Sequence, residues 1–366
     1  MLGLYIHIPF CKSKCPYCDF YSMRYSDKLM ERYISALIDN IAKTGEGKNL
    51  KVDSVYFGGG TPSVLGGENI VRILESVNNN FNLQNPEITV ECNPSTTNSV
   101  FYETISLGGV NRISLGMQSA VEKERRLLGR TANRDQVANS IYQARKAGIS
   151  NISVDMMLGV PEQNKETLKE SIGFIKEVKP EHISSYMLKL EEGTFFYKNS
   201  HKLNLPDEDE VCDMYLDFSK EMKKLGYEHY EISNFAKAGK RSRHNTKYWL
   251  DDEYIGFGPS AYSFYEGRRY HYDADIEKYI SSREIVSDET GGSKSEYVML
   301  ALRLSDGLSF SSYEKRYGEK ISELFIRKGE MFAKNGFAEI DSEHISLTAE
   351  GFLLSNRIIG ELIDCL

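Results

Sequence analysis

Cys11, Cys15 and Cys18 fall within one short stretch, Cys-Lys-Ser-Lys-Cys-Pro-Tyr-Cys, directly after the apolar run Leu4-Tyr-Ile-His-Ile-Pro-Phe10. An iron–sulfur cluster is normally held by four thiolates. A four-iron cluster held by three keeps one iron open, and an open iron can bind and activate a small molecule. The competing metal is zinc, which wants four ligands and accepts a Cys3His set, with His7 or a distant histidine completing it. Structural zinc sites are usually built from paired Cys-x-x-Cys elements, however, and only one such element occurs here. Disulfides are disfavoured by the tight spacing, by only six cysteines in 366 residues and by the missing signal-peptide pattern. The spacing points to a [4Fe-4S] cluster with an open iron.

Two further groups of residues carry chemical potential. Gly58-Gly59-Gly60-Thr61 is a glycine triplet that can admit a ligand to the backbone, whose N–H and C=O groups bind polar atoms; a plain tight turn is the competing reading. Glu91 and Cys92 close an apolar run. Adjacent strand residues point to opposite faces, so Glu91 is assigned inward and Cys92 outward, as an ordinary buried thiol.

The elements that must position these residues read as alternating strands and helices. Strands are expected at Leu2–Phe10, Val52–Phe57, Ile88–Cys92, Arg112–Leu115, Ile152–Leu158 and His182–Leu188. Helical spacing is clear over 27–43, where Met30, Tyr33, Ile34, Leu37, Ile38 and Ile41 form one stripe. It recurs near 68–80, on Val137, Ile141 and Ala144, and on Leu168, Ile172 and Ile175. The clearest helix is 207–225, with Val211, Tyr215, Phe218, Met222 and Leu225 in line, Asp207 as cap and Gly226 as stop. Six such units predict a parallel sheet with right-handed crossovers. A closed barrel of this kind needs eight units, so six predict an open, three-quarter (β/α)6 barrel of α/β class, spanning residues 1–226. Functional residues are then expected at the C-terminal ends of the strands, and the cysteine loop, the glycine triplet and Glu91 all fall there.

Residues 227–290 read as an irregular, aromatic-rich extension covering the barrel mouth. Residues 291–366 read as a C-terminal winged-helix-like module. Its helices are expected near 296–304, 311–317 and 321–335, its strands at Phe337–Ile340 and His344–Leu347, and a last helix over 350–364. This module lacks a basic cluster, so a lid or docking role fits better than nucleic-acid binding.

Composition sets outer bounds. The chain has 40% hydrophobic and 27% charged residues and a net charge of −8, the profile of a soluble globular protein without a basic nucleic-acid footprint. No apolar run approaches the ~20 residues that span a bilayer. Free thiols fit a reducing cytosol, so a cytoplasmic location is expected, with peripheral membrane association left open, as is the choice between monomer and homodimer. The 23 tyrosines could line a flat aromatic ligand site or serve as scattered packing.

Cys-x3-Cys-x2-Cys after a strand is the signature of radical S-adenosylmethionine (SAM) proteins, and the longer string YIHIPFCKSKCPYCDFYS resembles the branch that contains oxygen-independent coproporphyrinogen III oxidases and the HemW-type haem chaperones. The three-quarter barrel is also this family's core fold. The resemblance implies that Cys11, Cys15 and Cys18 hold the cluster and that Gly59, Gly60 and Thr61 bind the SAM amino group. From the contexts VEC, GMQS, LGRT and SVDMMLGVP it implies that Glu91, Gln118, Arg130 and Asp155 contact SAM, with Tyr5 and Tyr17 as further contacts. Carboxylates suit ribose hydroxyls and an arginine suits the methionine carboxylate; an ordinary salt bridge is the competing reading for Arg130 and Asp155. In the family, one electron from the reduced cluster cleaves the sulfonium and releases a 5′-deoxyadenosyl radical, the electron coming from a donor of flavodoxin or ferredoxin type.

Three features resemble the chaperone branch rather than the oxidase. Phe20 stands two residues after Cys18, where oxidases usually show a further cysteine. The chain begins at its first strand, without the extension expected of the oxidase. His244-Asn-Thr-Lys-Tyr248-Trp249 resembles the chaperones' HNxxYW motif, and YEISNFAK and GFGPSAYSF around it fit too. This branch implies haem or porphyrin as ligand, an acceptor haemoprotein as partner, and His244 with Tyr248 and Trp249 as candidate haem contacts. The competing reading is a histidine packed by aromatic neighbours. The alternative function is oxidative decarboxylation of coproporphyrinogen III to protoporphyrinogen IX.

Overall fold

The structure is a computed structural model that describes residues 1–366, the side chain of Glu289 excepted. Six strands run parallel in chain order: β1 (Leu2–Ile8), β2 (Lys51–Gly59), β3 (Asn82–Cys92), β4 (Arg112–Gln118), β5 (Asn151–Leu158) and β6 (His182–Met187). Helices at Asp27–Gly45, Gly67–Asn80, Ser99–Leu107, Arg134–Lys146 and Lys165–Val178 form the crossovers, and Glu208–Lys224 follows β6. This is the expected three-quarter barrel of the α/β class. It stays open because the outer neighbour of β1 is β9 (Tyr254–Phe257) and that of β6 is β8 (Asn234–Ala236), rather than each other.

Side-chain alternation explains the shape. Parallel strands covered on both faces usually read as continuous apolar runs. Here they alternate. Ile113, Leu115 and Met117 of β4 and Ile152, Val154 and Met156 of β5 are buried under the helices. The residues between them are Ser114, Gly116, Ser153 and Asp155. The same parity gives Ser54 and Tyr56 on β2, Glu87, Thr89 and Glu91 on β3, and His182 and Ser184 on β6. The barrel thus has an apolar outer coat and a polar interior. Capping fixes where the coat begins: Asn133, Asn164 and Asp207 each form a reciprocal capping box with the residue three positions on.

Residues 227–290 depart from the expectation of an irregular cover. They carry β7 (Glu228–Glu231), β8, β9, β10 (Tyr262–Tyr265), β11 (Arg268–Tyr272) and β12 (Ile285–Thr290), which extend both edges into one twelve-stranded sheet, and helices at Arg243–Trp249 and Ile276–Ser281. Nor does the His244 segment sit at the mouth. It contacts the N-terminal ends of the strands, opposite the cysteine loop. His244 is 1% exposed; its Nδ1 pairs with Ser54 Oγ at 3.0 Å and its Nε2 with Tyr248 OH at 2.8 Å. The Arg243 backbone donates to Glu87 Oε1 (2.9 Å), and Lys247 Nζ reaches Asp53 Oδ1 (2.9 Å) and the Met1 carbonyl (2.7 Å). Tyr230 OH pairs with His182 Nε2 at 2.9 Å, and His182 Nδ1 with Ser153 Oγ at 2.8 Å. The segment is a floor, needed because a polar interior must meet hydrogen-bond partners where water is excluded.

The C-terminal module begins after β12. Helices Lys294–Ala301, Phe310–Tyr317 and Glu323–Lys334 precede the hairpin of β14 (Ala338–Ile340) and β15 (His344–Leu347), with the two-residue β13 (Leu308–Ser309) pairing on the other side of β15. That order is the expected winged-helix-like one, except that the last helix is two, Ala349–Leu353 and Ser355–Ile363. The module joins the floor through Ser305 N–H to the Tyr230 carbonyl (3.0 Å) and Ile232 N–H to the Arg303 carbonyl (3.1 Å). Among the described residues, no helix is long and apolar enough to cross a membrane.

Removing the floor imidazole leaves Ser54 and Tyr248 without partners and opens a void beneath Tyr56. His244→Ala is expected to cost about 2–4 kcal/mol of folding stability, read by urea denaturation; a change under ~0.5 kcal/mol would show that the floor carries no such weight.

Candidate functional site

The first loop folds back onto the ends of β1 and β2. Cys11 N–H donates to the Met23 carbonyl (2.9 Å) and Met23 N–H to the Pro9 carbonyl (2.7 Å), so the loop is tied at its base. Gly60 and Thr61 N–H donate to the carbonyls of Ile8 and Phe10, both at 2.8 Å, and the Thr61 hydroxyl lies 3.4 Å from Cys11 Sγ. From the far side, Phe196 N–H donates to the Pro16 carbonyl (2.9 Å), and the Phe196 ring leans on Tyr17.

The glycine triplet owes its composition to this packing. A Cβ on Gly60 would stand 2.8 Å from the carbonyl oxygens of Ile8 and Phe10. One on Gly59, whose φ is +106°, would meet the His7 ring at 2.4 Å. The glycines bring β2 against the cysteine loop, and only then does their backbone reach the cavity.

That cavity, about 500 Å³, opens at the C-terminal ends of the strands and is lined by all three cysteines. Tyr17, Gly59, Gly60, Thr61, Glu91, Gln118, Arg130 and Asp155 line it as well. Arg130 links the loop to the barrel: Nη1 lies 3.8 Å from Cys15 Sγ and Nη2 donates to the Gly116 carbonyl at 2.6 Å. A Cβ on Gly116 would stand 2.6 Å from Arg130 Nη2, so a side chain there would displace the guanidinium from this carbonyl. Gln118 holds φ +70°, a strained value for a residue with a side chain, and this strain sits in the cavity wall.

Two carboxylates form the deep wall. Glu91 Oε1 accepts from Tyr56 OH at 2.8 Å, and Asp155 Oδ1 accepts from Ser114 Oγ at 2.9 Å. Burial pushes the Glu91 carboxyl up to about 7, and Asp155 adds to the rise; the Tyr56 hydrogen bond opposes it. Asp155 is raised too, chiefly by burial. Cys18 is pushed up to about 11 by burial, so a metal bound there would have to displace its proton.

The other expected residues lie elsewhere. Tyr5 stands behind Tyr56, its hydroxyl 3.1 Å from His7 Nδ1, and does not line the cavity. Burial lowers His7 to about 4. His244 stacks under Tyr56 with ring centroids 5.3 Å apart, and burial lowers it to about 3. Both its ring nitrogens are engaged by protein groups. Tyr248 lies beside it, and Trp249 packs against Tyr230 and Leu304 in the floor. Lining residues that the motifs did not name include Tyr56, Ser114, Ser184 and Tyr186. The period-two alternation of β2, β4 and β6 was the signal that could have found them.

The donor set fits a cluster with an open iron and a polar cofactor beside it. The three thiols are free and share one cavity. Among the described residues, no three His, Cys, Asp or Glu side chains converge closely enough to hold a single ion. A cluster takes its thiolates at separate irons, so thiols standing apart suit it better than they suit zinc. The deep wall offers carboxylates for hydroxyl groups, and Arg130 at the loop suits a carboxylate. For haem, the buried and doubly bonded His244 is not a fit in this packing.

Because Glu91 gives up its proton later than in the unfolded chain, the folded state binds the extra proton between the ordinary value of 4.5 and about 7. Stability is therefore highest below this window and falls as pH rises through it. Glu91→Gln is expected to stabilise the ligand-free protein at pH 8 by on the order of 2–3 kcal/mol, with little change at pH 4, read by thermal melts. Equal effects at both pH values would refute the assignment.

The radical SAM superfamily model matches residues 5–175, and the HemN C-terminal domain model matches residues 295–354. The heme chaperone HemW of Bacillus subtilis (strain 168) is 33% identical over 379 residues, covering 99% of each chain. The heme chaperone HemW of Lactococcus lactis subsp. lactis (strain IL1403) is 33% identical over 376 residues, covering 98% of this chain and 96% of its own. Among solved structures, coproporphyrinogen III oxidase (HemN) from Escherichia coli superposes with a TM-score of 0.85 over 100% of this chain and 90% of its own, at 21% identity, a likeness of fold.

Proposed function

Since the chain belongs to the HemW heme-chaperone family within the radical SAM superfamily, we propose that it is a haem chaperone that carries a [4Fe-4S] cluster and S-adenosylmethionine in the strand-end cavity and hands haem to an acceptor haemoprotein. The observation that carries the cofactor part is the convergence of three free cysteines, Arg130, Glu91 and Asp155 on one cavity.

Cys11, Cys15 and Cys18 would hold the cluster. Gly59, Gly60 and Thr61 would present backbone and hydroxyl groups to the cofactor's amino group, Arg130 its fork to the carboxylate, and Glu91 and Asp155 their oxygens to the ribose. When bound, the pair supplies one-electron cleavage of a sulfonium carbon–sulfur bond; an external donor of flavodoxin or ferredoxin type would provide the electron. The protein's part is orientation and exclusion of water. Tyr56 fixes the Glu91 oxygen by its 2.8 Å hydrogen bond, and Ser114 fixes Asp155. Pro16, clamped by Phe196, keeps Tyr17 over the cavity rim.

Phe20 supports the chaperone reading over the oxidase. It is 64% exposed at the cavity rim, where the oxidase branch usually carries a further cysteine. We place haem outside the packed floor, because His244 would have to give up Ser54 and Tyr248 to ligate iron.

Anaerobically reconstituted protein is expected to develop a stoichiometric Soret band on haem titration and to form no protoporphyrinogen from coproporphyrinogen III with SAM and reductant. Turnover to protoporphyrinogen would establish the oxidase instead. A failure to bind haem would remove the chaperone reading.

A further inference from the structure

We propose that Arg112 is a positioning residue for the SAM-facing carboxylates: its guanidinium, sealed inside the barrel between floor and cavity, is the fixed positive charge that balances Glu91 and Asp155 and keeps their oxygens available to the cofactor's hydroxyls. The inference deepens the proposed function and rests on its assignment of SAM to the cavity.

The placement follows from strand parity. Arg112 opens β4, two residues before Ser114 and four before Gly116, both of which line the cavity. It therefore shares their interior face. It pairs across the sheet with Thr89 of β3 and Asn151 of β5, one interior position below Glu91 and two below Asp155. Only 1% of it is exposed.

Its bonding is unlike that of a structural arginine. Nη1 meets Thr89 Oγ1 at a long 3.4 Å, and Nε has no partner. Among the described residues it makes no salt bridge, and the acids around it act on it only through space. A buried charge left this way costs several kcal/mol, and an apolar side chain of similar volume would be cheaper. The strongest charge acting on it is the buried Glu87 of the floor, with Asp155 weaker, so the guanidinium stands between the floor acid and the acids of the cavity.

β3 presents Glu87 below and Glu91 above the guanidinium, β5 presents Asp155, β2 presents Tyr56, and β6 presents His182 and Tyr186. The floor adds Tyr230 and His244, and Arg130 faces Asp155 from the rim. The positive charge of Arg112 lowers Glu91 and Asp155 against the rise that burial imposes. It also disfavours protonation of His182 and His244. One cation thus opposes the rise that burial imposes on two acids and adds to the burial that keeps two floor histidines neutral. An ionised carboxylate is acceptor-only and makes the stronger hydrogen bond to a hydroxyl.

The test uses full-length, cluster-reconstituted protein with Arg112→Met, Arg112→Gln and Arg112→Lys. SAM affinity is measured by equilibrium binding from pH 6 to 9, and thermal stability of the ligand-free protein over the same range. Loss of the charge is expected to weaken SAM binding at least tenfold at neutral pH, with recovery towards pH 9, while Lys keeps it within a few-fold of the parent. In the ligand-free protein, the stability window set by Glu91 should move to higher pH in Met and Gln but not in Lys. A parental pH profile in Met or Gln would overturn the proposal, as would equal loss in all three at every pH, which marks a space-filling role. If the parent itself fails to bind SAM, the cavity assignment falls, and an unmoved stability window would then remove the electrostatic role as well. If neither uncharged variant folds while Lys does, the charge serves the fold, and the proposal is wrong.

Discussion

Charge removed from water must be answered by other charge or by hydrogen bonds, and the interior of this barrel is where that requirement is concentrated. Glu87, Glu91, Arg112, Asp155 and His182 all project into a column bounded by six parallel strands. Each desolvated group would cost several kcal/mol alone. Together they are tied into a ladder that runs from the floor to the cavity. His244 stacks under Tyr56, whose hydroxyl holds Glu91; Tyr230 holds His182, which pairs with Ser153. The cofactor-facing acids are therefore the upper end of a structure whose lower end is the His244 segment. This makes sense of a long aromatic segment at the end of the barrel away from the chemistry: it supplies hydrogen bonds that a solvated opening could not supply with fixed geometry.

The cysteine loop depends on the same column from above. Gly116 lets Arg130 approach close enough to bond its carbonyl, and Arg130 in turn reaches Cys15. Gly60 lets β2 abut the turn after β1. The small residues here are small because another part of the protein occupies their side-chain space, and what they purchase is proximity of two backbones.

Much of this was legible in the sequence, for local reasons. The six strands and most of the helices announced themselves by alternation and by 3.6-residue stripes, and the cysteine spacing needed no structure to interpret. Strand parity allowed only one of Glu91 and Cys92 to face inward, and Glu91, the one assigned there, lines the cavity. The polar alternation of β4, Arg112-Ile-Ser-Leu-Gly-Met, already marked one face of the strand as a polar interior. What the sequence could not show was which end of the barrel a later segment meets. A histidine flanked by tyrosine and tryptophan has the same composition whether it roofs a mouth or plugs a floor. The decision rests on contacts such as Ser54 to His244, 190 residues apart. The regular strands of 227–290 were missed because most have only three to five residues, too few for a period to register. Tyr5 fell behind Tyr56 because both share one face of adjacent strands and only one can front the cavity.

The clamp of Phe196 on Pro16 has a consequence for the order of assembly. The cysteines lie at positions 11 to 18, yet their loop is held by groups that come much later in the chain: Gly60, Arg130 and finally Phe196. Contacts of such separation close late, because the intervening chain must be ordered before they are rewarded. A nascent chain therefore carries these thiols without their full clamp until Phe196 has been added. Cluster insertion belongs to the folded protein, and until then the thiols depend on a reducing environment for their integrity.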